Sequence, residues 1–117
     1  MRKKILTISV FILFLAVTIS SCKKEKLITP SCDGTVASYT LNIKTIIDNN
    51  CNNASCHGAG SSKGDFTTYT GLKPFLDNGK FKSSVLDNQT MPQGSAKLSS
   101  DELNKIKCWQ ESNYPEK

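Results

Sequence analysis

From Cys32 to Lys117 the chain runs 86 residues, and only 15 of them are Leu, Ile, Val or Phe. That share lies below the ~20% level under which chains begin to lack a core. The same stretch carries 9 Lys against 9 Asp plus Glu, so charge repulsion does not explain the shortage and disorder is not the obvious reading. A domain this poor in aliphatic side chains needs a covalent staple, a metal or an embedded cofactor. The full length of 117 residues leaves room for one small domain. It excludes a multidomain enzyme or a (β/α)₈ barrel.

The formal net charge of +5 arises outside that stretch. Arg2, Lys3 and Lys4 precede an apolar run of 15 residues, Ile5 to Ile19, and Lys23, Lys24 and Lys26 follow it. The basic excess is therefore a targeting feature and gives no support for nucleic-acid binding. A positive start and an apolar run too short for a comfortable membrane span make an export signal. Its close, Ile19-Ser20-Ser21-Cys22, resembles the lipobox of bacterial lipoproteins. The resemblance implies removal of residues 1–21, a diacylglycerol on the Cys22 sulfur and an acylated N-terminus. More than one acyl chain gives stable anchoring. Lys23 in place of Asp offers no inner-membrane retention signal, so the expected location is the outer membrane, facing the periplasm. Residues 22–31 read as a flexible tether, and 32–117 as the domain.

Export sets the redox context. Cys32, Cys51, Cys56 and Cys108 remain after lipidation, an even number in an oxidising compartment that invites two pairs. Tyr39, Ile43, Ile46 and Ile47, with Val36 before them, repeat at helical spacing, which predicts a first helix over about 37–50. Ser99-Ser100-Asp101-Glu102 is a capping box. It opens a last helix over about 100–112, with Leu103, Ile106 and Trp109 on one face. Thr70 is placed to cap a short helix over 71–77, with Pro74 near its start. Lys80 to Asp87 makes a further turn or helix. The loops between are rich in Gly, Ser and Asn, and no segment of the domain alternates as a strand does.

The run Cys51-Asn52-Asn53-Ala54-Ser55-Cys56-His57 holds the only His of the chain. Two thiols followed at once by an imidazole suit covalent haem attachment, each sulfur joining a vinyl group and the His donating a ring nitrogen to iron. The usual spacing is C-x-x-C-H; here four residues separate the cysteines. A Cys51–Cys56 disulfide beside an exposed His is the simpler structural reading. Zinc is a third, with Cys32 or Cys108 completing the ligand set, though export disfavours it because thiols oxidise there. Met91 is the only Met after signal removal. As a soft, neutral thioether it suits a haem iron and raises its reduction potential relative to a second His; otherwise it fills a gap in the core. Gly58 to Gly64 is neither G-x-G-x-x-G nor a Walker A loop.

The order of parts resembles a small class I c-type cytochrome domain of the kind found in bacterial lipoproteins. The match rests on Ile46-Ile47, Cys51, Cys56-His57-Gly58, Met91-Pro92, Gly94, Leu98-Ser99, Glu102-Leu103, Ile106 and Trp109, and covers roughly residues 39–112. It implies an all-α, cytochrome-c-like fold of a few short helices around one covalent haem c. Cys51 and Cys56 would be the thioether sites, His57 and Met91 the iron ligands. Ile43, Ile46 and Ile47 would face Leu103, Ile106 and Trp109, while Phe66, Tyr69, Leu72, Phe75 and Leu76 would line the haem wall. The resemblance also implies that the first and last helices cross, and with them that Cys32 and Cys108 pair in a disulfide. The expected function is a monomeric electron carrier that meets a redox partner protein, not an enzyme: with both axial positions filled no iron site is open. The alternatives are a haem-free lipoprotein with two disulfides, acting in binding or structure, and a small haem sensor or accessory subunit.

Overall fold

The computed structural model describes residues 26–94 and 97–117. Cys22 and the export signal lie outside the described residues. Among those described, helices are joined by loops and there is no strand, so the architecture is all-α.

Helix α1 opens as a π-helical turn over Tyr39–Ile43 and continues as α-helix over Lys44–Asn50. Ser38 caps it from an extended backbone, its hydroxyl accepting from the Leu41 N–H at 3.4 Å. Val36 falls outside the helix and is 82% exposed, so the apolar repeat begins at Tyr39. Helix α2 spans Tyr69–Asp77 and starts two residues earlier than the sequence suggests. The cap is Thr68, not Thr70: Thr68 is extended (φ −133°, ψ 157°) and its hydroxyl accepts from the Gly71 N–H at 3.1 Å, while Thr70 lies inside the helix. Pro74 consequently sits in mid-helix and denies the Thr70 carbonyl its usual donor. Helix α3 follows Gly79, whose φ of +75° suits glycine. It runs over Lys80–Lys82 and continues as a π-helical turn over Ser83–Asp87. Helix α4 is Ser100–Glu111, and its Ser99/Glu102 capping box is complete.

Helix α1 packs on α4. Ile43, Ile47, Leu72, Ile106, Cys108 and Trp109 are the largest fully buried side chains. The indole of Trp109 centres an aromatic cluster with Tyr114 at 4.9 Å, Phe81 at 6.1 Å and Tyr39 at 6.3 Å between ring centroids. The chain end contributes to this cluster, which the sequence pattern did not reveal. Asn113 (φ +63°) and Tyr114 (φ +57°) are both left-handed and turn the tail back across α1. The Pro115 carbonyl then accepts from the Tyr39 N–H at 3.0 Å and from the Trp109 indole at 2.8 Å, and the Glu116 carbonyl accepts from the Thr40 N–H at 3.0 Å. Backbone donors at the start of α1, which helix geometry leaves without partners, are thereby satisfied.

A disulfide joins Cys32, just before α1, to Cys108 in α4 across a sequence separation of 76, with a Cα–Cα distance of 4.7 Å. It supplies the staple that the sparse core requires. The tether is less free than its composition suggests. Ile28 packs on the core, its N–H donates to Gln89 Oε1 at 3.1 Å, and the Ser31 N–H donates to Asn104 Oδ1 at 2.9 Å. Partial burial of the Ile28 side chain and these bonds dock the segment from residue 28 to residue 31 on the domain. Among the described residues no helix is long and apolar enough to cross a membrane.

Candidate functional site

Cys51 is the residue on which α1 ends, its N–H donating to the Ile47 carbonyl at 2.8 Å. The following loop is folded tightly on itself. The Cys56 and Gly58 N–H groups both donate to the Asn53 carbonyl at 3.0 Å, and the His57 N–H reaches back to the Cys51 carbonyl at 3.1 Å. A Cβ on Gly58 would stand 3.0 Å from the same Asn53 oxygen, so this turn favours glycine. Cys51, Cys56 and His57 are thus held on one short loop. The Ser61 hydroxyl, which donates to the Cys56 carbonyl at 2.6 Å, and Lys63 Nζ, which donates to the Ser55 carbonyl at 3.0 Å, brace it from outside.

The thiols of Cys51 and Cys56 are both free and half-buried. Burial, with smaller contributions from Cys56 and Glu102, pushes the Cys51 thiol up to about 11. At pH 8 the folded, haem-free protein should therefore alkylate Cys51 at least ~10-fold more slowly than the urea-unfolded chain does, because fewer thiolates are present. Mass mapping after timed iodoacetamide treatment reads this directly, and equal rates would contradict the burial. The sign for stability follows. A thiol whose pKa is raised on folding favours the folded chain below the ordinary thiol pKa, and that contribution is lost as pH rises toward 11.

His57 is oriented by its surroundings. Its Nδ1 lies 3.2 Å from the Gly64 carbonyl oxygen, and a carbonyl only accepts, so Nδ1 carries a proton, and in the neutral ring the lone pair is on Nε2. The ring stacks on Phe66 at 4.0 Å with an interplanar angle of 3°, and Phe75 meets it edge-on at 6.5 Å. Gly64 makes this packing possible. Its φ is +107°, and a Cβ there would lie 2.5 Å from the Phe75 ring. Gly64 was not singled out in the sequence, where it reads as one more loop glycine; its role depends on two aromatic rings brought in from elsewhere.

Met91 lies in the loop between α3 and α4. It is half-buried and packed on the core. With Val85, Leu98, Leu103 and the tether residues Leu27 and Ile28 it lines an open, largely apolar pocket of about 140 Å³, to which Lys26, Gln89 and Lys97 also contribute. The Thr90 and Met91 N–H groups both donate to the Ser84 carbonyl, at 2.9 and 3.2 Å, which ties the Met91 loop to α3. The start of α4 touches both the Cys51 end of α1 and the pocket beside Met91. The Asn50 amide, next to Cys51, donates to the Glu102 carboxylate at 3.1 Å, while the neighbouring Leu103 faces the Met91 cavity.

Of the expected wall residues, Phe66, Leu72 and Leu76 are buried, and Phe66 and Phe75 flank His57. Tyr69 serves the other aromatic cluster: its hydroxyl donates to the Tyr114 carbonyl at 2.8 Å and its ring lies 5.3 Å from Tyr39. The donor chemistry suits a haem c, with an imidazole presenting Nε2, a neutral thioether beside an apolar cavity and two unpaired thiols on the His57 loop. The pocket is smaller than the ~300 Å³ at which ligand pockets usually begin and does not include Cys51, Cys56 or His57 in its lining, so it does not by itself hold a macrocycle. A four-ligand zinc site has less to draw on, because Cys32 and Cys108 are joined to each other. Among the described residues no group of three or more His, Cys, Asp or Glu side chains could hold a metal ion.

No family model matches this chain, and comparisons with curated proteins and with solved structures give no match.

Proposed function

We propose that this chain is a monohaem c-type cytochrome, a lipid-anchored electron carrier of the bacterial envelope with iron held by His57 and Met91. The observation that carries the reading is the His57 loop. One short turn holds two free thiols and an imidazole whose Nδ1 is bonded to the Gly64 carbonyl. That bond fixes the tautomer and aims ligand capacity to Nε2, as the outer partners of metal-bound histidines do. Cys51 and Cys56 would hold the group as thioethers, and Met91 would offer its sulfur from the apolar side. Bound there, haem would supply a one-electron Fe(III)/Fe(II) couple. Residues of the chain would exclude water: Phe66 covers one face of His57, and Val85, Leu98 and Leu103 line the space by Met91. The fold in this reading is cytochrome-c-like, residues 1–21 are the signal peptide, and Cys22 carries the lipid that keeps the domain on the periplasmic side of the outer membrane.

The test is a pyridine-haemochrome spectrum after acid–acetone extraction of protein exported alongside c-type maturation machinery. Haem that stays with the polypeptide and gives a c-type α-band is the expected result, and the band position separates one thioether from two. A folded, disulfide-bonded protein with no chromophore would overturn the reading and leave a haem-free lipoprotein with a binding or structural role.

A further inference from the structure

We propose that Gln89 is a positioning residue that latches the segment before Cys32 to the Met91 loop and so holds Met91 in place. Gln89 stands two residues before Met91 with a left-handed backbone, φ +48°, a conformation uncommon for a side chain of this kind. It is held there from several directions. Its amide oxygen accepts from the Ile28 N–H at 3.1 Å and its amide nitrogen donates to the Ile28 carbonyl. One side chain thus pairs with both backbone groups of one tether residue. Its own carbonyl accepts from Lys97 Nζ at 3.1 Å. Leu27 and Ile28 then share the apolar cavity with Met91, and Ile28 packs on the core. A tether that served only as a spacer would have no use for a two-point clamp at this position.

The latch concerns the Met91 loop with or without a bound group; only its electronic consequence rests on the function proposed above. The test uses the full chain in detergent micelles, produced without haem. Hydrogen exchange is read at the Thr90 and Met91 amides, which both donate to the Ser84 carbonyl, with the α4 amides as internal control. Gln89→Asn keeps a residue that tolerates the left-handed backbone but shortens the side chain so that it cannot span Ile28. Ile28→Pro removes the donor from the other partner. Each should speed exchange at Thr90 and Met91 by about tenfold, the loss expected for one or two net hydrogen bonds, and leave α4 unchanged. Ile28→Pro also removes the Ile28 packing, so the double variant should gain less than the product of the two single effects, since both lose the Ile28 N–H bond. Unchanged exchange in the singles, or effects that multiply in the double, would overturn the proposal. In haem-loaded protein, Gln89→Asn should also weaken the far-red sulfur-to-iron charge-transfer band. A wild-type chain that takes up no haem would defeat the proposed function, while the exchange comparison would still decide the latch.

Discussion

Replacing Cys32 and Cys108 together by Ala should lower the free energy of unfolding by about 4 kcal/mol, the scale set by closing a loop as long as this one. The bridge spans a sequence separation of 76 and so encloses most of the domain. Without it, the unfolded chain regains the freedom to separate its ends. The folded chain must then hold the pre-α1 segment on α4 by noncovalent contacts alone. Alanine is the appropriate replacement because Cys108 is 1% exposed, and a serine hydroxyl there would add the separate cost of an unpaired buried polar group. Small domains often have only ~5 kcal/mol or so to lose, so the haem-free variant is expected to be partly unfolded at 37 °C. Urea unfolding of both proteins, followed by Trp109 fluorescence, measures the difference. A loss below about 1 kcal/mol would mean that the aromatic cluster around Trp109 closes the domain without the staple.

In the cytochrome proposed above, Met91→His would retain covalent haem while lowering the reduction potential, on the order of 0.2 V within the ~0.8 V span that axial ligands command. A thioether is soft and uncharged and favours ferrous iron; a second imidazole favours ferric iron relative to it. Attachment depends on Cys51 and Cys56, which sit on a loop separate from Met91, so haem content should stay level. The sulfur-to-iron band should vanish. A redox titration with a visible spectrum reads both effects together. An unchanged potential and band would remove Met91 from the iron and return it to the role of an apolar residue beside Leu98 and Leu103.

Both results bear on how the site was read. The cysteines, His57 and Met91 are chemically distinctive residues present once or a few times each, so their candidacy was plain in the sequence. The supports around them were not. Gly64, Phe66 and Phe75 converge on His57 from separate positions, and none carries a local signature of that task. Helix α2 starts two residues before the position Thr70 suggests, for a reason that lies outside the local sequence. Gly71 settles the choice: a Cβ there would collide with the Asp65 carbonyl, so it approaches that backbone closely, and its N–H is within reach of the Thr68 hydroxyl. The tether read as flexible because its composition is polar; Gln89, distant in sequence, holds it.

The sequence alone determined the helical ends of the domain, the α4 capping box and the need for a staple, a metal or a cofactor, because periodicity, capping chemistry and aliphatic content are local or additive properties. The tertiary structure alone decided that Cys32 meets Cys108 while Cys51 and Cys56 stay free. It alone decided that the tail returns across α1, and that the His57 Nδ1 meets the Gly64 carbonyl. Each of these depends on which distant groups come within bonding distance, and no spacing along a chain specifies that before it folds.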